Sequence, residues 1–569
     1  MLDISSRLNR YIIRAWELNA GIAEICKFLS QKKVEKDLNL ITCNLISEQL
    51  VHYFNQRRLR RSHGTAKDAW IELISSFCIK DFLNAYSELE NDISNSLSDY
   101  INQNNSILSD VLVDKKQIEK MIGKNLGRVL QIDVGMGDLH NGRSVALVHF
   151  QFSKIIYKPQ KYNQYILLSN VLDWLRVRVP NRIKLKFPLV LYRENHSWIE
   201  YIENEQLDKA KISDFFYECG LYLAAFYIFG ANDMHLENLI VHDNHPVFID
   251  LETLCAIHGE QLEPNLRDIS SSVLGTGLIP TSRTKAMDLS LSALFRPENE
   301  VSSSIFFDDI QFSEEEGFLY FRNKVETARI EEKAIQNECI LYGNESTRKN
   351  LKKGFLDGLS EIINDKVNFE GLIRNIFSEN DFRFREVLRS THVYGEILDG
   401  MRNPNTRYEK EQWEILRLLD RPCQEQKEIS NSEKSSIRKG WIPSYYCFSG
   451  NRKLYDSTGT VVDNDFLKKD IPEKVLGLIS KLTFSDILYQ ERLIDLSFIE
   501  THLQNIVIGL PNDECSNVLE ELECFMKNIE MFRVSDQNNV YYSTQILASK
   551  VANIWGVTPG LLNTSGWVL

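Results

Sequence analysis

Between Gly230 and Glu252 the chain reads GANDMHLENLIVHDNHPVFIDLE, a stretch that gathers Asp233, His235, Asn238, Asp250 and Glu252. A carboxylate such as Asp233 can take or orient the proton of a hydroxyl nucleophile. An amide oxygen and a second carboxylate, Asn238 and Asp250, suit a hard cation such as Mg2+, which accepts few protein oxygens and fills its shell with water and phosphate. Together these residue types fit transfer of a phosphoryl group to a hydroxyl.

The flanking residues predict the elements that would hold them. An apolar run, Phe215–Phe229, reads as a helix that Gly230 stops. A polar loop follows. Two short apolar runs, Leu239–Val241 and Val247–Leu251, then flank the turn-prone HDNHP and read as a hairpin. Asp233, His235 and Asn238 thus sit on a loop, with Asp250 and Glu252 at the end of the second strand. Protein kinases order such parts alike, with a catalytic Asp, an Asn five residues on and a metal-binding Asp beyond the next hairpin. Here Asp233 and Asn238 are five apart, and Asp250 lies twelve further on. The plainer reading is a loop capped by Asp and Asn beside an ordinary hairpin.

Upstream, RVLQIDVGMGDLHNGRSVALVHFQFSKIIYKPQK holds three strand-like runs. Asp138 and His140 fall on a glycine-bearing loop, and Lys158 ends a strand that Pro159 stops. A strand lysine before the catalytic loop is where kinases keep a phosphate partner; it also reads as an exposed edge-strand lysine. Gly135, Gly137 and Gly142 form neither a GxGxxG nor a Walker A pattern. Downstream, Arg383, Arg385 and Arg389 lead into Ser390 and Thr391. Guanidinium groups hold phosphate by paired hydrogen bonds, or serve as a basic face matched to nearby acids.

The 569 residues suggest three or four units fused into compact lobes. A net charge of −13 argues against general nucleic-acid or anionic-membrane binding. No signal peptide opens the chain, and no uncharged run is long enough for a membrane span, Glu218 interrupting the most apolar stretch. The ten cysteines form no CxxC pair, which disfavours a zinc site and fits a reducing cytoplasm. Residues 1–125 read as helical. QRRLRRSH within them, with Arg57, Arg58, Arg60 and Arg61, reads as a solvated helix face or a dock for an acidic peptide segment. Ser313–Ile363 and Ile471–Ile529 read as helical, and residues 424–436 as a polar loop.

Taken in order, GDLHNGR, IIYKPQ, the WIEYI strand, GANDMHLENLIV, PVFIDLETL, SVLGTGLIP, FREVLRSTHVYGEIL and the IPSYY segment resemble the dehydratase domain of class II lanthipeptide synthetases over roughly residues 130–450. The resemblance implies an α+β fold: a lipid-kinase-like two-lobed core with additional helical subdomains at both ends. The implied division is a helical 1–125, a kinase-like N-lobe 126–210, a C-lobe 211–450 and a helical 451–569. It implies ATP and Mg2+, and a ribosomal precursor peptide with a leader as substrate. Its Ser and Thr hydroxyls would be phosphorylated, and the phosphate then eliminated to leave dehydroalanine or dehydrobutyrine. By motif, Asp233, His235, Asn238 and Asp250 belong to phosphorylation, with Asn238 and Asp250 on Mg2+. Lys158 and Glu252 line the nucleotide cleft. Asp138, His140, Arg385 and Thr391 match the elimination set.

Three departures from the family pattern are Trp441 for an acidic residue, Gln160 for Arg and Ser390 for Pro. Full-length members also carry a C-terminal cyclase domain. This sequence ends where it would begin, which implies a dehydratase piece or a stand-alone protein relying on a separate cyclase. Two other readings stay open: a kinase-like enzyme that phosphorylates and stops, and an inactive leader-binding scaffold.

Overall fold

The computed structural model describes residues 2–58, 66–180, 183–255, 271–279, 283–284, 292–294, 304–312, 319–327, 344–406, 408–421, 426–497, 533–535, 540–549 and 552–558. Among the described residues, helices α1 (Leu2–Ala15), α2 (Asn19–Ile25), α3 (Gln31–Arg58), α4 (Ala66–Ser76), α5 (Ile79–Ala85) and α6 (Leu89–Ile122) come first. Along α6, Ile93, Leu97, Tyr100, Ile107 and Val111 fall on one buried stripe, the three- and four-residue spacing that turns an apolar face inward. Of the arginine run, residues 59–65 lie outside the described part. Arg57 packs over the Tyr53 ring at 4.7 Å and faces Asp81 at 3.8 Å.

Strands β1 (Val129–Val134), β2 (Ala146–Phe150), β3 (Lys154–Lys158), β4 (Val190–Tyr192) and β5 (Ser197–Glu200) follow, with α7 (Gln164–Arg176) between β3 and β4. They form one antiparallel sheet in the order β1-β2-β3-β5-β4. Ile132, Val148, Ile155, Tyr157 and Trp198 on this sheet share a continuous core with α1–α6. Successive strand residues face opposite sides. Ile156 therefore packs against the other core, and Lys158 turns with it.

That second core centres on α8 (Ile212–Phe229), every residue of which from Phe215 to Phe229 is buried. With the turn before it, Lys209–Phe229 is long and apolar enough to cross a membrane, yet it lies inside the protein. Gly230 ends the helix in the left-handed conformation, as expected. Strands β6 (Leu239–His242) and β7 (His245–Phe248) form the expected hairpin. Its turn residues, Asp243 and Asn244, have φ of 51° and 68°, the positive values that a two-residue hairpin turn requires. Glu218, buried in α8, receives His245 Nδ1 at 2.8 and 3.0 Å.

Next come β8 (Arg283–Thr284), β9 (Ser304–Phe312) and β10 (Leu319–Thr327), then α9 (Glu345–Asn364) and α10 (Lys366–Glu379). The expected helix over Ser313–Ile363 is corrected: Leu319–Thr327 pairs with β9 as an antiparallel strand, and the helix starts at Glu345. Strands β11 (Arg383–Glu386), β12 (Tyr445–Phe448), β13 (Leu454–Asp456) and β14 (Val461–Asp463) make a second antiparallel sheet. Between β11 and β12 lie α11 (Thr391–Arg402), α12 (Glu409–Leu416) and α13 (Lys427–Arg438). The last replaces the expected polar loop, because Ile429, Glu433 and Ile437 at four-residue steps bury one face.

Residues 451–569 are not all helical. Among the described residues there, α14 (Ile471–Lys481) and α15 (Phe484–Ser497) are the helices. Besides β13 and β14, strands β15 (Arg533–Ser535), β16 (Val540–Ser549) and β17 (Ala552–Thr558) form a sheet with β8. YYSTQI and NIW carry the aromatic and β-branched residues that favour strands. Residues 498–532, expected to be helical, lie outside the described part. The architecture is α+β.

Candidate functional site

Lys158, at the end of β3 and buried, donates from Nζ to Asp250 Oδ1 at 3.2 Å and Glu252 Oε1 at 3.3 Å. Its ammonium lies 3.9 Å from the centre of the Tyr162 ring. Burial works against this cation, but the two carboxylates outweigh it and hold Lys158 above its ordinary value. Glu252 is pulled down to about 2: burial opposes its charge, and Lys158, Arg385, His140 and Arg383 overcome that. Asp250 moves the other way, raised by burial and by the Glu252 charge against the pull of Lys158. Its side chain still keeps 40% of its surface in solvent, open to a ligand.

Two neighbours fix this trio. Gln160 Nε2 donates to Glu252 Oε1 at 2.7 Å. The fully buried Tyr162 hydroxyl donates to Asp250 Oδ1 at 3.2 Å and accepts the Leu251 amide. Sequence reasoning passed over Tyr162. Only its position four residues after Lys158 could have pointed to it, since an aromatic on a turn carries no charge signal.

Asp233 is 57% exposed at its side chain, and its backbone is left-handed with φ 61°. His235 Nε2 lies 3.6 Å from Asp233 Oδ1. Asn238 Nδ2 donates to the Asp233 carbonyl at 2.7 Å, which leaves the Asn238 amide oxygen as its acceptor. The loop is braced from below. Met234 N donates to Thr276 O at 2.9 Å, and Thr253 Oγ1 to Asn232 O at 2.5 Å. Among the described residues no side-chain hydrogen bond joins this loop to the Lys158 trio. The link is main chain: Ile249 N donates to Asn238 O at 2.9 Å, so the loop and Asp250 leave the hairpin at the same end.

The other candidate group arrives from both sheets. Arg385 N donates to the Glu252 carbonyl at 2.7 Å, and its Nη2 stands 3.7 Å from Asp138 Oδ2. His140 Nδ1 bonds the Ile442 carbonyl at 2.7 Å. A carbonyl only accepts, so Nδ1 carries the proton and Nε2 of the neutral ring keeps its lone pair. Burial and the Arg385 charge hold His140 below its ordinary value; the Ile442 bond and the Asp138 and Glu252 charges oppose them. Thr391 opens α11 behind Ser390, whose Oγ accepts the His392 amide. Among the described residues Thr391 makes no hydrogen bond to Asp138, His140 or Arg385.

The arginines of this segment divide. Arg389 Nε donates to the fully buried Glu433 at 2.9 Å, beside Arg421 at 2.8 Å; this is the structural reading, a basic group matched to an acid. Arg383 packs over the Tyr446 ring at 3.6 Å. Arg385 is the one of the three with a described hydrogen bond or ion pair to a candidate residue.

A family model with the description "Domain of unknown function (DUF4135)" matches residues 86–447. The chain is also 24% identical over 470 residues to the lacticin 481/lactococcin biosynthesis protein LcnDR2 of Lactococcus lactis subsp. lactis. That match takes in 75% of this chain and 49% of the relative, so the chain spans about half of the relative's length.

Proposed function

The chain belongs to the DUF4135 family, whose match takes in every candidate residue from Asp138 to Thr391, and from that membership we propose that it is a lanthipeptide precursor dehydratase with a lipid-kinase-like core. It phosphorylates Ser and Thr hydroxyls from ATP and then eliminates the phosphate. One observation carries the reading: Glu252 bonds Lys158 through its side chain and Arg385 through its carbonyl. Groups suited to phosphoryl transfer and groups suited to phosphate departure therefore meet at one residue. The lacticin 481 assignment of the relative supports a peptide substrate.

In the first step Asp233 would orient the substrate hydroxyl and take its proton as the hydroxyl oxygen attacks the γ-phosphorus; the bond from that phosphorus to the β-phosphate oxygen breaks, and ADP leaves. Lys158 holds the phosphates. The donor set fits Mg2+: the Asn238 amide oxygen, whose amide nitrogen is turned to the Asp233 carbonyl, and the partly exposed Asp250 carboxylate are hard oxygen ligands. Mg2+ there would neutralise phosphate charge. In the second step His140 Nε2 removes the α-proton. The electron pair forms the Cα–Cβ double bond, the Cβ–O bond breaks, and phosphate departs towards Arg385. His235 shapes the loop beside Asp233. Dependence on ATP assigns the reaction to the cytoplasm.

The test is mass spectrometry of a lanthipeptide precursor, a leader peptide with a Ser/Thr/Cys-rich tail, incubated with the chain, ATP and Mg2+. The expected result is loss of water at Ser and Thr. Asn238→Ala should leave the peptide unmodified, and Arg385→Ala should accumulate phosphopeptide. Gain of phosphate without water loss from the wild type overturns the elimination half. Failure of the chain to bind Mg2+–ATP overturns both halves in favour of a scaffold.

A further inference from the structure

We infer that Asp99 and Trp441 are a positioning pair: they clamp the loop that carries His140 and so make α6 a working part of the elimination half. The inference rests on the function proposed above. Trp441 Nε1 donates to Asp99 Oδ2 at 2.7 Å, across 342 residues of sequence. The next residue, Ile442, holds the loop twice. Its carbonyl accepts His140 Nδ1 at 2.7 Å, and its amide donates to Leu139 O at 2.9 Å. Ile442 is therefore only as fixed as Trp441 beside it.

The loop is gripped from its other side too. Gly142 has φ 68°, and a Cβ there would lie 2.5 Å from Asp99 Oδ1 and 3.4 Å from Trp441 Cζ2. No side chain fits, so the loop backbone sits directly on the pair. One turn along α6, Gln103 Nε2 donates to Ser144 O at 2.6 Å, and Ser144 Oγ accepts the Gly135 amide at 2.8 Å. Both ends of the loop are thus tied to α6. Asp99 itself is half-buried. Burial raises its carboxyl, and the indole bond and Lys439 favour the ionised form that accepts. The Asp233 loop and the Lys158 trio hang from other supports, Thr276, Thr253 and Tyr162. Loss of the pair should spare them.

The experiment compares Trp441→Phe, Asp99→Leu and Asp99→Asn in the full chain. The first two should raise amide exchange across residues 138–144 by about ten-fold while residues 155–162 and 233–252 keep wild-type protection. With ATP, Mg2+ and the same precursor peptide, both should raise the ratio of phosphopeptide to dehydrated peptide about ten-fold and leave the phosphorylation rate within about two-fold. Asp99→Asn keeps an acceptor oxygen and should behave as wild type. Unchanged exchange across 138–144 in Trp441→Phe overturns the inference, as does equal slowing of both steps. If the wild type modifies no peptide, the proposed function fails, and the exchange measurement alone still decides the pair.

Discussion

At the scale of the residue, charge is arranged so that one cation serves two anions. Lys158→Ala would leave Asp250 and Glu252 facing each other without it. Breaking a fully enclosed pair costs about 3–5 kcal/mol; because Asp250 reaches solvent, we expect about 2 kcal/mol, read from the denaturant midpoint. Glu252, depressed to about 2, adds stability above the ordinary carboxylate range and loses it as pH falls towards 2. His140 has the same sign, in a higher pH window. Its folded value lies below its unfolded one, so below about pH 6.5 the unfolded chain binds the extra proton and stability falls. Elimination should therefore hold its rate down to a pH under about 6.5 and fail only as His140 takes a proton. A pH–rate profile of the phosphopeptide step checks this, and a break above neutrality contradicts it. Asp250 and Glu252 could be singled out by their place after the hairpin, whereas Lys158, Asp138 and Arg385 stood out only through the order of motifs that carries the family resemblance. The roles of Tyr162, Asp99 and Trp441 were not legible, since they exist only through partners remote in sequence.

At the scale of the element, the α8–α9 crossing brings two backbones close together. A Cβ on Gly220 would lie 2.1 Å from the Leu351 carbonyl oxygen, and one on Gly354 2.0 Å from that of Tyr217. Backbone cannot step aside, so Gly220→Ala or Gly354→Ala should cost about 3 kcal/mol or more by chemical denaturation. At Gly358 the nearest atoms are side-chain carbons of Ala224 and Leu221 at 3.2 Å, and Gly358→Ala should cost about 1 kcal/mol or less. The central helix and the β6–β7 hairpin were legible because their signals are local: an apolar run closed by glycine, and an Asp-Asn turn between β-formers. The strand at Leu319–Thr327 was not. Charged residues after its first turn imitate a helix, and only its register against β9 decides it.

At the scale of the whole molecule, the helical segment is a wall of the sheet's core rather than an appendage. Ile132, Val148, Ile155, Tyr157 and Trp198 meet α1–α6 with nothing between. Asp114 of α6, 1% exposed, adds a polar rivet to Arg193, His196 and Trp198 at 2.7, 2.8 and 2.9 Å. Deleting residues 1–122 would strip one sheet face bare and orphan these three donors. We expect the remainder to aggregate or to lose its near-ultraviolet circular dichroism, while the intact chain unfolds as one unit across this interface. In the sequence the segment reads as a helical subdomain ending near residue 125, because the helical periodicity stops there. The shared core is a tertiary fact that periodicity does not encode.

Asp233 combines an exposed carboxylate with a φ of 61°. Left-handed backbone accepts Gly, Asn and Asp and penalises most other side chains. In a saturation library sorted only for folded protein, the survivors at this codon should be Asn and Gly beside Asp. A descendant that had abandoned the chemistry would still carry one of those two there, a relic of geometry outliving its purpose.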